Sequence, residues 1–238
     1  MTILLGSGGF RTPERVAVWG EQMRSILGGV SRVLFVPFAL ADHDGYVRVT
    51  TERGLNAGYP LDGIHDFTDP VRAVWESEAI FVGGGNTFRL LNALYRFGLL
   101  DPIRERVRAG VPYLGIIAGT NIASPTIKTT NDMPIVQPPS FEALGLVTFQ
   151  INPHYFGGSN YVRKGDRFVE HFGETRDDRL REFHEENETP VVALWEGGIL
   201  RVKAGGVNLI GAEARVFRRG RPTIDVQLGT DMAPFLGA

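Results

Sequence analysis

The sequence predicts an α/β fold of three layers: a mostly parallel central sheet, helices on both faces, and antiparallel hairpins near the C-terminus. Three observations carry this. Apolar runs such as "RVLFVPFA" (32–39) are continuous rather than alternating, as strands buried on both faces are. Helical segments follow the first of these runs, which is the β–α alternation of a parallel sheet. Glycine turns at 6–9, 83–85 and 115–119 end several runs. In such sheets the ligand crevice lies beyond the carboxyl ends of the strands, so the three turns are expected along one rim.

In chain order, "TILLG" (2–6) is a short apolar strand running into a glycine turn. Thr12 and Pro13 then cap and start a helix, with proline at the first helical position. After the 32–39 strand, a polar helical stretch extends to about residue 57. "GIHDF" reads as a weak strand and "PVRAVWES" as a short helix. "AIFVGGGNT" (79–87) is again strand into glycine turn, followed by the amphipathic "FRLLNALYRFGLL" and a second helix, "DPIRERVRAG". "PYLGII" is the next buried strand. Beyond residue 145, "LVTFQINPHYF" is a strand and "TRDDRLREFHEEN" a charged helix. "PVVALWEGGILRVKAGGVNLIG" and "ARVFRRGRPTIDVQLG" read as hairpins on the sheet edge. The stretch after "PHYF" is a long basic loop. No linker or repeat breaks the chain, so residues 1–238 are expected to form one domain.

Composition excludes several function classes. The 238 residues carry 25 basic and 27 acidic side chains, spread evenly, for a net charge of −2. No basic or aromatic-plus-basic patch points to nucleic acid, and no apolar run approaches the ~20 residues a membrane span needs. Cysteine is absent, which removes thiol catalysis and cysteine-bound zinc and fits a reducing compartment. The N-terminus has no signal-peptide pattern. A cytoplasmic location is expected.

The turn "GIIAG" has the two glycines of a G-x-S-x-G nucleophile elbow, Gly115 and Gly119. At the serine position stands Ile117, which has no nucleophilic atom. It is either an active-site turn without its reactive atom or a plain tight turn. Neither "GSGGF" nor "GGGNT" completes a dinucleotide or phosphate-loop motif, so no cofactor is expected. His43, His65, His171 and His184 sit in polar surroundings and read as solvated surface groups. His154 follows a strand and a proline, where the chain would present it to the crevice. Glu196, in "LWEGG", could orient an imidazole or be an exposed turn acid. Asp132 and Arg176 could bind an amine and a carboxylate, or serve as capping and surface residues. No metal-ligand spacing occurs, so no metal is expected.

Together "GGGNTF", "AGTNIASPTIKTTNDMPIV", "INPHYF", "ETRDDRLREF" and "WEGG" resemble peptidase E, the family of aspartyl dipeptidases. The resemblance covers nearly the whole chain and is most specific from Pro125 to Val136. It implies a class I glutamine amidotransferase-like fold and a cytoplasmic Ser-His-Glu serine peptidase that cleaves dipeptides with an N-terminal aspartate. The histidine matches His154, the glutamate Glu196 and the serine position Ile117. The resemblance further implies that Arg176 reads the substrate's aspartate side chain and Asp132 its free amine. It also makes the backbone N–H groups of Gly85 and Ala118 the oxyanion donors. The implied partner is an acidic dipeptide, with no cofactor, nucleic acid or membrane, and a homodimer is left open.

Isoleucine cannot form an acyl intermediate. Loss of a nucleophile in a comparable triad costs on the order of 10⁶ in turnover, so this chain is expected to be inactive or strongly impaired, or to bind acidic dipeptides or amino acids without cutting them. Thr120 is expected ~4.5 Å farther along the helix axis, beyond the reach of a base that fits residue 117, and Ser124 is farther still. A β-branched residue at an elbow would be strained unless the turn relaxes.

Overall fold

The computed structural model describes residues 1–203 and 206–236. The elements, in chain order, are β1 (Thr2–Gly6), α1 (Pro13–Leu27), β2 (Val33–Val36), α2 (His43–Glu52), β3 (Leu61–Gly63), α3 (Pro70–Glu76), β4 (Ile80–Val82), α4 (Thr87–Arg96), α5 (Leu100–Arg108), β5 (Tyr113–Ile116) and α6 (Ala118–Ala123). They continue with β6 (Gln150–Tyr155), β7 (Asn160–Lys164), β8 (Arg167–His171), α7 (Arg176–Glu186), β9 (Val191–Trp195), β10 (Ile199–Lys203), β11 (Gly206–Ile210), β12 (Ala214–Phe217) and β13 (Ile224–Val226).

The central sheet has seven strands in the order β11-β10-β1-β5-β4-β2-β3. The five from β1 to β3 are parallel, and β10 and β11 add an antiparallel edge. Side chains alternate between its faces. Leu4, Phe35, Phe81 and Leu114 pack under α1 and α2 with Trp19 and Met23. Ile3, Leu5, Val36 and Val82 face the opposite side, where Val74, Leu91, Ile103 and Ile122 of α3–α6 cover them. Trp19 is fully buried, and its indole N–H donates to the Leu55 carbonyl at 2.9 Å, so its one polar atom is satisfied. Truncating it would cost ~3–5 kcal/mol.

Local signals explain the helix starts. Thr12, Asp42, Asp69 and Asn86 each accept a backbone N–H two or three residues into their helix. α2 ends at Glu52, short of the expected residue 57. "GIHDF" is not a strand. The strand is β3, which begins two residues earlier and shares only Gly63 with it, and Ile64–Asp66 form a 3₁₀ turn, with the His65 ring folded back over Gly63.

The C-terminal half departs most from expectation. β9, β12 and β13 do not extend the central sheet; with β6 they form a separate four-stranded sheet, ordered β13-β12-β9-β6. Only the β10–β11 hairpin joins the central sheet, beside β1, and its turn at 204–205 lies outside the described residues. The switch is made at "EGG": Gly197 has φ 87°, its N–H donates to Gly8 O at 2.8 Å, and Gly198 N–H donates to Trp195 O at 2.9 Å. The expected long loop contains the β7–β8 hairpin, exposed on nearly every residue.

Candidate active site

The rim where the glycine turns meet is built by backbone contacts. β5 ends at Ile116 and α6 begins at Ala118, leaving Ile117 at φ 55°, ψ −109°. That conformation costs a β-branched residue ~1–3 kcal/mol, so the turn has not relaxed around its isoleucine. Close packing explains why. A Cβ on Gly115 would lie 2.5 Å from Gly119 O, and one on Gly119 would lie 2.2 Å from Val82 O. The buried Tyr113 hydroxyl donates to Gly119 O at 2.6 Å, and Ile117 N–H donates to Gly6 O at 3.0 Å. Strand β5 and helix α6 are clamped from both sides, and residue 117 takes the conformation left to it.

Thr120 does not present its hydroxyl to the rim. It is fully buried and donates back to Gly6 O and Gly115 O at 2.8 and 2.9 Å. Ser124 is fully buried as well.

His154 is also held at positive φ, 55°. β6 and β9 pair in register up to Asn152↔Ala193 and resume at Tyr155↔Trp195. Pro153 and His154 thus stand opposite Leu194 alone, a β-bulge that turns one side chain out of the sheet. Proline has no N–H to give the ladder at this point. The His154 N–H donates to Ser7 Oγ at 2.8 Å, and the Ser7 hydroxyl donates to Leu194 O at 2.9 Å. A fully buried serine from the β1 turn therefore stands in for the missing rung between two other strands. The bulge aims His154 Nδ1 at Glu196 Oε1, 2.6 Å away. With a carboxylate as acceptor, the Nδ1 proton is fixed and Nε2 is left as the basic nitrogen.

These groups converge. A Cβ on Gly8 would lie 2.5 Å from His154 Cε1 and 3.1 Å from Ile117 Cγ1, and one on Gly9 would lie 1.9 Å from Glu196 Oε2. The two glycines are the floor on which residues 117, 154 and 196 meet. The three line one cleft of about 420 Å³, together with Arg11, Tyr46 and Arg53. The N–H groups of Gly85 and Ala118 make no hydrogen bond among the described residues. The neighbouring Gly84 N–H donates to Tyr46 Oη at 2.5 Å.

Asp132 and Arg176 lie on the α4–α7 side and do not line this cleft. Asp132 Oδ2 accepts from Thr87 N and Oγ1 at 2.7 and 2.6 Å and from Thr130 Oγ1 at 3.1 Å. One carboxylate oxygen thus supplements the cap of α4. Arg176 Nη1 donates to Asn131 Oδ1 at 2.7 Å, and its guanidinium lies 5.7 Å from the centre of the Phe156 ring. Its Nε is buried without a partner. Burial, then the nearby Arg179, lowers its pKa from the ordinary value, against a raising contribution from Asp132. A cation as the first residue of α7 faces the positive end of the helix, so a local rule is broken at a candidate ligand-binding residue.

Sequence reasoning passed over Ser7 and Asn131. Ser7 lay inside a glycine turn, and Asn131 inside the quoted "TTNDMP" block. Of the four histidines expected on the surface, only His171 is exposed. His184 is buried, its Nδ1 3.0 Å from Asn187 O, and His43 and His65 are half-buried, packed edge to face. His65 does gather with Asp44 and Asp66, a grouping within 4.8 Å that spacing along the chain did not show. Both acids occupy first turns of helices, and Asp44 Oδ1 lies 3.0 Å from His65 Nε2.

The model of peptidase family S51 matches residues 2–210. Peptidase E of Streptomyces coelicolor is 50% identical over 218 residues, 91% of this chain and 86% of that protein. A Drosophila melanogaster protein named "Probable alpha-aspartyl dipeptidase" is 49% identical over 191 residues, 79% of this chain and 77% of its own. A crystal structure of a peptidase from an acI-B1 Actinobacterium shares the fold, with a TM-score of 0.69 over 97% of this chain and 95% of that one at 15% identity. No helix among the described residues is long and apolar enough to cross a membrane.

Proposed function

The chain belongs to peptidase family S51, the family of peptidase E and its serine-type aspartyl dipeptidases, and from that premise we propose what its cleft does. The cleft is an aspartyl-dipeptidase site in which Ile117 stands at the nucleophile position, His154 is the general base and Glu196 orients it. Gly85 and Ala118 N–H groups are the oxyanion donors, and Arg176 and Asp132, beside the cleft at the starts of α7 and α4, receive the first residue's side-chain carboxylate and its amine. One observation carries the reading: a residue held at φ 55° on a strand-to-helix elbow meets, over Gly8, an imidazole hydrogen-bonded at 2.6 Å to a carboxylate.

With a serine at 117, His154 Nε2 would take the hydroxyl proton as the oxygen attacks the peptide carbonyl. The two free N–H groups would hold the developing oxyanion, and the same imidazole would return the proton to the leaving amine. Isoleucine supplies no attacking atom, and buried Thr120 gives no substitute. The chain as it stands is therefore inactive or nearly so. Ile117→Ser should raise hydrolysis of aspartyl-alanine by at least ~10³-fold and as much as ~10⁶-fold, measured as released amino acid. A folded Ile117→Ser protein that cleaves no faster than its parent ends this reading.

A second reading is favoured by Arg176, whose partly buried guanidinium leaves Nε unpaired: the pocket retains acidic dipeptides or amino acids without cutting them. Calorimetry with aspartyl-alanine should then give heat that Arg176→Ala removes. Equal heat from both proteins, or none from either, excludes retention through this arginine.

A further inference from the structure

The cleft has a charged wall that the proposed mechanism does not use. Arg11, just before α1, Arg15 in its first turn and Arg53, just past α2, line it together with Ile117, His154 and Glu196. Arg11 and Arg53 also line an adjoining cavity of about 740 Å³ beside Phe10 and Val16. None of the three guanidiniums forms an ion pair among the described residues, whereas Arg32, Arg72 and Arg215 each hold a carboxylate. Arg15 Nη1 donates to Gly9 O at 3.2 Å. Among the described residues the one acid lining the cleft is Glu196, and its Oε1 is engaged by His154.

A single exposed guanidinium is an ordinary solvated group. Three on one concave wall make a positive potential that raises the local concentration of anions, and the planar fork of each matches a carboxylate. The wall's position says which carboxylate. Asp132, where the first residue of the dipeptide is placed, caps α4 on the side of the sheet covered by α3–α6, and Arg176 reaches its neighbour Asn131 from α7. Arg11 and Arg15 lie at the start of α1 and Arg53 at the end of α2, the two helices that cover the other face. His154 must reach the leaving nitrogen to protonate it, so the second residue extends from the imidazole into the arginine-lined cleft. Its α-carboxylate carbon lies about 2.5 Å from that nitrogen. A dipeptide puts a full negative charge there, whereas a longer peptide puts a neutral amide.

We propose that Arg11, Arg15 and Arg53 form a carboxylate subsite for the second residue, so that the cleft selects free dipeptides over longer or amidated peptides; this rests on the aspartyl-dipeptide reading above. The test uses the protein as it is, by calorimetry, with aspartyl-alanine and its C-terminal amide. The dipeptide is expected to bind at least about tenfold more tightly, the size of one charge-assisted hydrogen bond. R11Q/R53Q should abolish the preference while leaving the amide's affinity unchanged. R176A should weaken both ligands alike.

Equal binding of dipeptide and amide to the parent overturns the subsite and leaves the dipeptide reading standing. A preference that survives R11Q/R53Q overturns it too. So does equal weakening of both ligands by R11Q/R53Q, which would mean that the arginines read the first residue. If neither peptide binds, the dipeptide reading fails and the subsite fails with it.

Discussion

The two sides of the cleft are held by the same means and end in different chemistry. On one side, a bulge, a buried hydroxyl and a residue at positive φ aim an imidazole at a carboxylate. On the other, an equally constrained elbow presents Ile117, whose side chain can neither attack nor exchange a proton. Both sides are pinned to one short segment. Gly6 O receives Ile117 N–H, Ser7 Oγ receives His154 N–H, and Gly8 O receives the N–H of Gly197, next to Glu196. The geometry is thus a property of backbone around the β1 turn, and it persists when the side chain at 117 carries no chemistry.

That contrast can be broken or sharpened in order of expected effect. In an Ile117→Ser background, His154→Ala should remove the gained hydrolysis by ~10³-fold or more. If the gain survives, the two sides do not act as one site. Gly119→Ala forces a methyl toward Val82 O and should lower unfolding free energy by about 3 kcal/mol, read from urea denaturation; a variant as stable as its parent would show that backbone packing does not set the elbow. Ser7→Ala leaves His154 N–H and Leu194 O without their shared partner and should cost about 1–3 kcal/mol. In the Ile117→Ser background it should lower kcat more than it raises KM. Unchanged kcat would reduce Ser7 to a structural rung.

Tyr46→Phe is the mildest change, losing one hydrogen bond from Gly84 N–H, for about 1 kcal/mol. It also carries a pH signature. Burial pushes the Tyr46 phenol up from 10.0 to about 12. A raised acid of this kind stabilises the fold fully below pH 10 and stops doing so as pH rises through about 12. The parent should therefore lose more stability than Tyr46→Phe between those values, and parallel curves would contradict this.

Four of the five parallel strands were legible because β1, β2, β4 and β5 are continuous apolar runs and the glycine turns mark carboxyl ends. β3, a short Leu-Asp-Gly edge strand, has no such run and was expected too late in the chain. The second sheet was not. β9 reads like any buried strand, and its neighbour is decided by the turn at Gly197 and Gly198, which local sequence does not reveal. β7 and β8 were missed because a hairpin exposed on both faces has no burial pattern to read. His154 and Glu196 were legible as strand-end residues, but the bulge that unites them was not, since it depends on a serine 147 positions away. Arg11 and Arg53 meet only because α1 and α2 cover the same face of the sheet.

The clamp around the elbow also makes residue 117 an addressable position. Since Gly115, Gly119 and Tyr113 hold the turn, and the chain contains no cysteine, Ile117→Cys would install a sole thiol beside the imidazole of His154. A basic neighbour favours the thiolate, so one alkylating probe would tag the heart of the cleft and nothing else, turning a silent pocket into a fluorescent reporter of whatever enters it.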